Sequence, residues 1–113
     1  MHFSNAIIFA AVLTLTGCSG SAVVSITNQS SLTVSNVVLS GSGFTNRFDS
    51  IAPRGEKHFT VRHCGGSGLR VAFDAAGGTV ESSEQDYFES DGYQVTAVIG
   101  TNLSVSVSST LDL

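Results

Sequence analysis

Charge is scarce in this chain. Only 12% of its residues are Asp, Glu, Lys or Arg, and five basic residues against nine acidic ones leave a formal net charge of −4. That balance excludes nucleic acid as a partner, because neutralising phosphates requires a basic surface. Proline occurs once and cysteine twice, so there is at most one disulfide within the chain. No window carries apolar residues at helical spacing between caps, which leaves little room for a helix. No apolar run reaches the roughly twenty residues of a membrane-spanning helix. No internal repeat of about 20 to 50 residues is visible. What the chain does hold is apolar bulk and turn formers. Seven Phe, many Val, Leu and Ile, and twelve Gly describe a folded, turn-rich domain rather than a disordered one.

The N-terminus carries an address. The run "AIIFAAVLTL", Ala6 to Leu15, is of a length suited to a signal-peptide core and too short to span. It leads into "LTGC", Leu15-Thr16-Gly17-Cys18. These residues resemble the lipobox of bacterial lipoproteins, although the preceding "MHFSN" lacks the usual Lys or Arg. The resemblance implies cleavage between Gly17 and Cys18, acylation of Cys18 and a partner in membrane lipid. Ser19, in place of Asp, implies sorting to the outer membrane of a Gram-negative envelope. Two or three acyl chains, at about 0.8 kcal/mol per buried CH₂, anchor a protein stably. The expected organisation is a signal peptide at 1–17, a lipidated Cys18 with a short tether at 18–22, and one domain at 23–113. A Cys18 that carries lipid is not available to Cys64, whereas a signal peptide cut elsewhere lets the two cysteines pair. The two readings exclude each other.

Beyond the tether, period-2 alternation recurs. It places Ala22, Val24 and Ile26 on one face, then Leu32 and Val34. The phase then shifts to Val37 and Leu39, which calls for a bulge near Asn36. Phe44, Phe48, Phe59, Val61, Leu69, Val71 and Phe73 continue the pattern, as do Tyr93, Val95, Ala97, Ile99, Leu103, Val105 and Val107. Turn signals fall at "APRGEK", with Pro53 followed by Gly55, at "CGGSG" (64–68), at "AAGG" (75–78) and at "GTN" (100–102). The segment "SSEQDYFE" (82–89) has room for one helical turn. About seven to eight short strands with Gly-rich turns describe a small antiparallel β-sandwich. "DGYQVTAVIG" resembles the Gly-Tyr-x-Val strand of immunoglobulin-like and transthyretin-like domains. That resemblance implies a tyrosine corner, with the Tyr93 hydroxyl bonded back to the backbone.

Chemistry-bearing clusters are few. His58, His63 and Cys64 are ligand types for zinc or copper, but strand alternation turns His58 away from His63. Glu81, Glu84, Asp86, Glu89 and Asp91 lack the regular spacing of a calcium loop. No Gly-x-Ser-x-Gly elbow is present. These patterns give no catalytic residue, metal or cofactor, and the chain reads as a non-enzyme. Basic residues occupy 47–70 and most acidic ones follow Asp74, which could place them on different edges. Within the acidic run, Glu84, Asp86, Tyr87 and Phe88 are the candidate partner contacts, with the aromatics either exposed anchors or core plugs. The expectation is an envelope lipoprotein that acts as a binding or assembly module for another envelope protein. A periplasmic inhibitor or immunity-type protein is the alternative, and a metal-handling or hydrolytic use of His63 and Cys64 stands behind both.

Overall fold

A computed structural model describes residues 20–111. The expected signal peptide, its cleavage site at Gly17 and Cys18, and residues 112–113 lie outside this range.

The alternations become nine strands: β1 (Gly20–Asn28), β2 (Val34–Gly41), β3 (Phe44–Ile51), β4 (Glu56–His63), β5 (Ser67–Ala75), β6 (Gly78–Glu81), β7 (Gln85–Phe88), β8 (Tyr93–Ile99) and β9 (Val105–Leu111). They form two sheets of order β4-β1-β8-β9 and β3-β2-β5-β6, with β7 also paired to β5. This is the expected all-β sandwich. Among the described residues no helix is long and apolar enough to cross a membrane. One pairing departs from the antiparallel rule: β1 runs parallel to β8, so the first sheet is mixed.

The core follows the alternation closely. Val24, Ile26, Val34, Val37, Leu39, Leu69, Val71, Phe73, Val95, Ala97 and Ile99 are all buried between the sheets. The bulge expected near Asn36 is present. Ser35 opposes Asp74 but Val38 opposes Ala72, and Asn36 takes φ 49°. The extra residue lets Val34 and Val37 both face inward despite their odd spacing. Leu32 does not join them; it is 42% exposed. The reason lies in the crossover between sheets. Asn28 is buried, and its Nδ2 donates to the carbonyls of Leu32 and Ile51, at 2.7 and 3.0 Å. Its Oδ1 accepts from the Ser30 N–H and hydroxyl, at 3.0 and 2.7 Å. This network bends the backbone before β2, so the alternation begins only at Val34.

Two further expectations are corrected. The tether was expected to run to Ala22, yet Gly20, Ser21 and Ala22 belong to β1, paired with His63, Arg62 and Val61. Small residues do not prevent pairing when a partner strand offers its edge. Gly20 fits because the His63 ring occupies the space a Cβ would need. The helical turn expected at 82–89 is instead β7. Strands β6 and β7 lie end to end along β5, the first against Ala72–Ala75 and the second against Ser67–Leu69. Ser82 bridges the break: its N–H donates to the Val71 carbonyl at 2.8 Å, and its hydroxyl accepts from the Val71 N–H at 3.0 Å. In the Ala52–Gly55 turn the Gly55 N–H donates to the Ala52 carbonyl at 2.8 Å. Its left-handed residue is Arg54 (φ 68°), not the glycine.

Candidate functional site: the acidic corner around Tyr87

Several loops meet at one end of the sandwich. The start of β1 pairs with the end of β4, and the start of β8 pairs with both Ala22 and Leu111. The β4–β5 loop joins the β2–β3 turn: the Cys64 N–H donates to the Ser42 carbonyl, and the Ser42 hydroxyl donates to the Cys64 carbonyl, both at 2.9 Å. The β7–β8 loop closes over the same end. Asp91 accepts the Ser21 N–H at 2.8 Å, and the Gly92 N–H donates to the Ser21 carbonyl at 3.2 Å.

The paired aromatics Tyr87 and Phe88 divide the two roles between them. Phe88 is fully buried, its ring edge-on to His63 with centroids 5.1 Å apart and 6.2 Å from Tyr93. It plugs the end of the core. Tyr87, on the opposite side of the strand, is 60% exposed. Its hydroxyl donates to the Glu89 carboxylate at 3.1 Å. That hydrogen bond, reinforced by the carboxylate's negative charge, holds the Tyr87 phenol above its usual pKa. The ring lies over Gly66, where a Cβ would run into its hydroxyl end. Gly68 is confined in the same way by the Glu84 side chain and the Asp86 carbonyl. Glu84 also accepts the Gly68 N–H at 3.3 Å. Asp86 is exposed and holds φ 63°, a left-handed conformation that non-glycine residues adopt at a cost. Tyr87 is therefore a seated ring and not a loose one. A fixed aromatic loses little conformational freedom when it docks.

Of the four candidate contacts, Glu84, Asp86 and Tyr87 line this corner from outside, and Phe88 does not. Glu89 and Asp91 complete it, one through Tyr87 and the other through β1. In the sequence both stand out only as members of an acidic run without the spacing of a calcium loop. The glycines of "CGGSG" read as a loop, but Gly66 and Gly68 leave room for Tyr87 and Glu84, while Gly65 takes a positive φ in open space. Nothing in a single sequence marks that use.

Four of the five basic residues lie along the β3–β4 side of the sandwich, Arg47 on β3, Arg54 in the turn after it, and Lys57 and Arg62 on β4, away from the β6–β7 edge. Arg47, Val38, Ala72 and Glu81 form one row across the outer face of the second sheet. Arg70, also exposed on β5, shares a shallow depression with Glu84, Ser40 and Ser42. Charges of both signs are interleaved there. The outward positions of β1, β8 and β9 carry none.

His58, His63 and Cys64 are dispersed. His58 is exposed and pairs with Glu56 at 3.3 Å. His63 is buried; its Nδ1–H donates to the Gly65 carbonyl at 2.6 Å, and its Nε2, also buried, meets no partner. Cys64 is disulfide-bonded. The only other cysteine in the chain, Cys18, lies outside the described residues. Among the described residues no three His, Cys, Asp or Glu side chains gather to hold a metal. The tyrosine corner is not formed either. Tyr93 is half-buried, and among the described residues its hydroxyl makes no hydrogen bond. Its ring instead leans on Phe88, a contact that takes the place of the bond to the backbone.

No protein-family model and no curated protein matches the chain. Among solved structures it is similar to a protein from Eubacterium rectale determined by NMR, at TM-score 0.57 and 14% identity, over 82% of this chain and 91% of that one. At that identity the likeness concerns the fold alone.

Proposed function

We propose that this is an exported envelope protein whose sandwich is a non-catalytic binding module that meets its partner at the corner around Tyr87, and that it is held to a membrane through Cys18 where that cysteine is acylated and not paired with Cys64. One observation carries the binding site: an exposed, seated tyrosine within a ring of carboxylates, next to a phenylalanine that fixes its strand to the core. Aromatic anchors of this kind commonly dominate interfaces, and surrounding charges chiefly steer the encounter. The anchor rests on "LTGC", and Ser19 supports the outer membrane as its destination.

An anchor at Cys18 also orients the domain. Cys18 stands two residues before Gly20, a reach of about 7 Å for extended chain. The lipid would therefore leave from the same end as Tyr87. A partner captured there must itself come close to the membrane surface. Glu84, Asp86, Glu89 and Asp91 oppose direct contact with anionic headgroups.

A second reading has its own support. Cys64 is disulfide-bonded, and a thioether at Cys18 excludes a bond between the two cysteines. In that reading the protein is exported, its signal peptide is cut before Cys18 at another site, and the disulfide ties the start of β1 to the end of β4. Disulfides belong to the same oxidising compartments, so both readings agree on export. Intact mass of the protein purified from membranes, before and after reduction, separates them. A mature chain that begins at an acylated Cys18 supports the anchor. An unacylated chain that gains two alkylatable thiols on reduction removes the anchor and leaves the binding corner to be tested separately.

A further inference from the structure

We infer that the β3–β4 side of the sandwich is a membrane-facing surface, on which the domain lies against anionic lipid headgroups with the Tyr87 corner turned away from them. The inference rests on the anchor at Cys18. Arg47, Arg54, Lys57 and Arg62 are all exposed on this side, and among the described residues none of the four is ion-paired. Against them stand two carboxylates, Asp49 and Glu56, and Glu56 is already engaged by His58 at 3.3 Å. Four against two leaves the side a surplus of two positive charges. The opposite edge is its converse. Residues 76–92, which hold β6, β7 and their loops, carry Glu81, Glu84, Asp86, Glu89 and Asp91 and no basic residue.

The placement of these charges identifies the occupant. Arg47 opposes Val38 on the outer face of the second sheet, and Arg62 opposes Ser21 on that of the first. Lys57 spans the gap between them. It shares the inward parity of Phe59 and Val61 yet is exposed, with its Nζ 6.0 Å from the centroid of the Phe48 ring on β3. The charges therefore run round one edge of the sandwich, which suits a fluid array of headgroups better than a single acidic group. The anchor is offset toward the same edge. Strand β1 is next to β4 and two strands from β9, and its Gly20 and Ser21 pair with His63 and Arg62, so the chain toward Cys18 leaves beside the basic strand. With about 7 Å of chain between Cys18 and Gly20, the anchored domain stays at the surface and only its choice of side is free. A small field decides that choice. At a surface potential of about −30 mV each unit charge shifts the population by about threefold, so two surplus charges favour this side by about tenfold over the uncharged face of β1, β8 and β9. The same field repels the five carboxylates of the opposite edge.

Amide NMR relaxation reads the orientation. The protein purified from membranes is placed in phosphatidylcholine nanodiscs with about three parts in ten phosphatidylglycerol and a trace of gadolinium-chelating lipid. The amides of Arg47, Thr60 and Arg62 should broaden about threefold more than those of Thr79 and Tyr87, as the population shift requires. The contrast should vanish in discs of phosphatidylcholine alone, and at about 0.5 M salt, where charges are screened within a few ångström. Arg47→Gln/Lys57→Gln, at two exposed positions, should remove most of it with little change in melting temperature. Intact mass, read first, separates this inference from the anchor on which it rests. If Cys18 proves unacylated, the mature chain is held instead by an N-terminal hexahistidine on nickel-chelating lipid in the same discs, and the same contrast is expected. Equal broadening of the two sides, greater broadening at Thr79 and Tyr87, or a contrast that survives in phosphatidylcholine alone would overturn the inference. So would an acidic envelope protein crosslinked from position 60, which would make the basic side a protein-docking surface.

Discussion

Replacing Phe88 and Tyr87 in turn separates the two roles that these adjacent rings play. Phe88 is fully buried between His63 and Tyr93. Phe88→Ala loses the transfer of the ring from water, about 2–3 kcal/mol. It also leaves a cavity that the rigid sheets cannot fully close. Together these effects cost about 3–5 kcal/mol. A domain of this size holds about 5–15 kcal/mol in all, so the loss is severe but need not abolish folding. With a urea dependence of about 1–3 kcal/mol per molar, the midpoint should fall by about 1–5 M. Tyr87→Ala removes a ring that is 60% exposed. Its cost should stay within about 0.5 kcal/mol. Urea unfolding followed by circular dichroism on both variants reads the difference. Equal losses, or an unchanged midpoint for Phe88→Ala, would mean that the division between plug and anchor is wrong.

Ala76 and Gly77 form the β5–β6 hairpin turn with φ 53° and 78°, and an alanine at positive φ is strained. Ala76→Asn, which tolerates that conformation, should stabilise the protein by about 0.5–1 kcal/mol, seen as a rise of a few degrees in Tm; a fall would contradict the turn assignment. Asn28→Ala strips four hydrogen bonds from a buried crossover. It should cost about 2–4 kcal/mol in urea unfolding, and a loss under about 1 kcal/mol would mean that the network adds little. Hydrogen bonds from Asn36 and then Thr79 hold the Asp74 carboxyl below its usual value of 3.8. A lowered carboxylate pKa contributes stability above the unfolded value, and that contribution is lost as pH falls through the folded value. Asn36→Ala should therefore move the Asp74 titration upward in a carbon-detected NMR series; no movement would refute the assigned cause.

The alternation of small apolar and polar residues made most of the sandwich legible. Leu69-Val71-Phe73 and Val95-Ala97-Ile99 lie where period 2 puts them, and even the bulge at Asn36 showed as a broken phase. The pairing of β1 with β8 was not legible, because alternation states which face a residue takes and not which strand lies beside it. Leu32 misled because an apolar residue before a strand looks like part of it, and the side chain that bends the backbone there is Asn28, four residues earlier. Strand β7 was hidden by Asp86 and the flanking Glu84 and Glu89. Its backbone completes the edge of β5, and composition carries no sign of that. At the candidate site the exposed half was visible as aromatics among carboxylates. Which ring points out depends on the parity of β7 against β5, and a break at Ser82 resets that parity.

The most direct test of the Tyr87 corner is site-specific photocrosslinking in cells that express the protein. A photoreactive phenylalanine analogue at position 87 replaces one exposed ring with another. The same analogue at Thr60, exposed on β4 and on the outer face of the other sheet, serves as the comparison. A discrete adduct with another envelope protein is expected from position 87, weakened when Glu84 and Asp86 are both neutralised, with little from position 60. Adducts from position 60 with none from position 87 would contradict it.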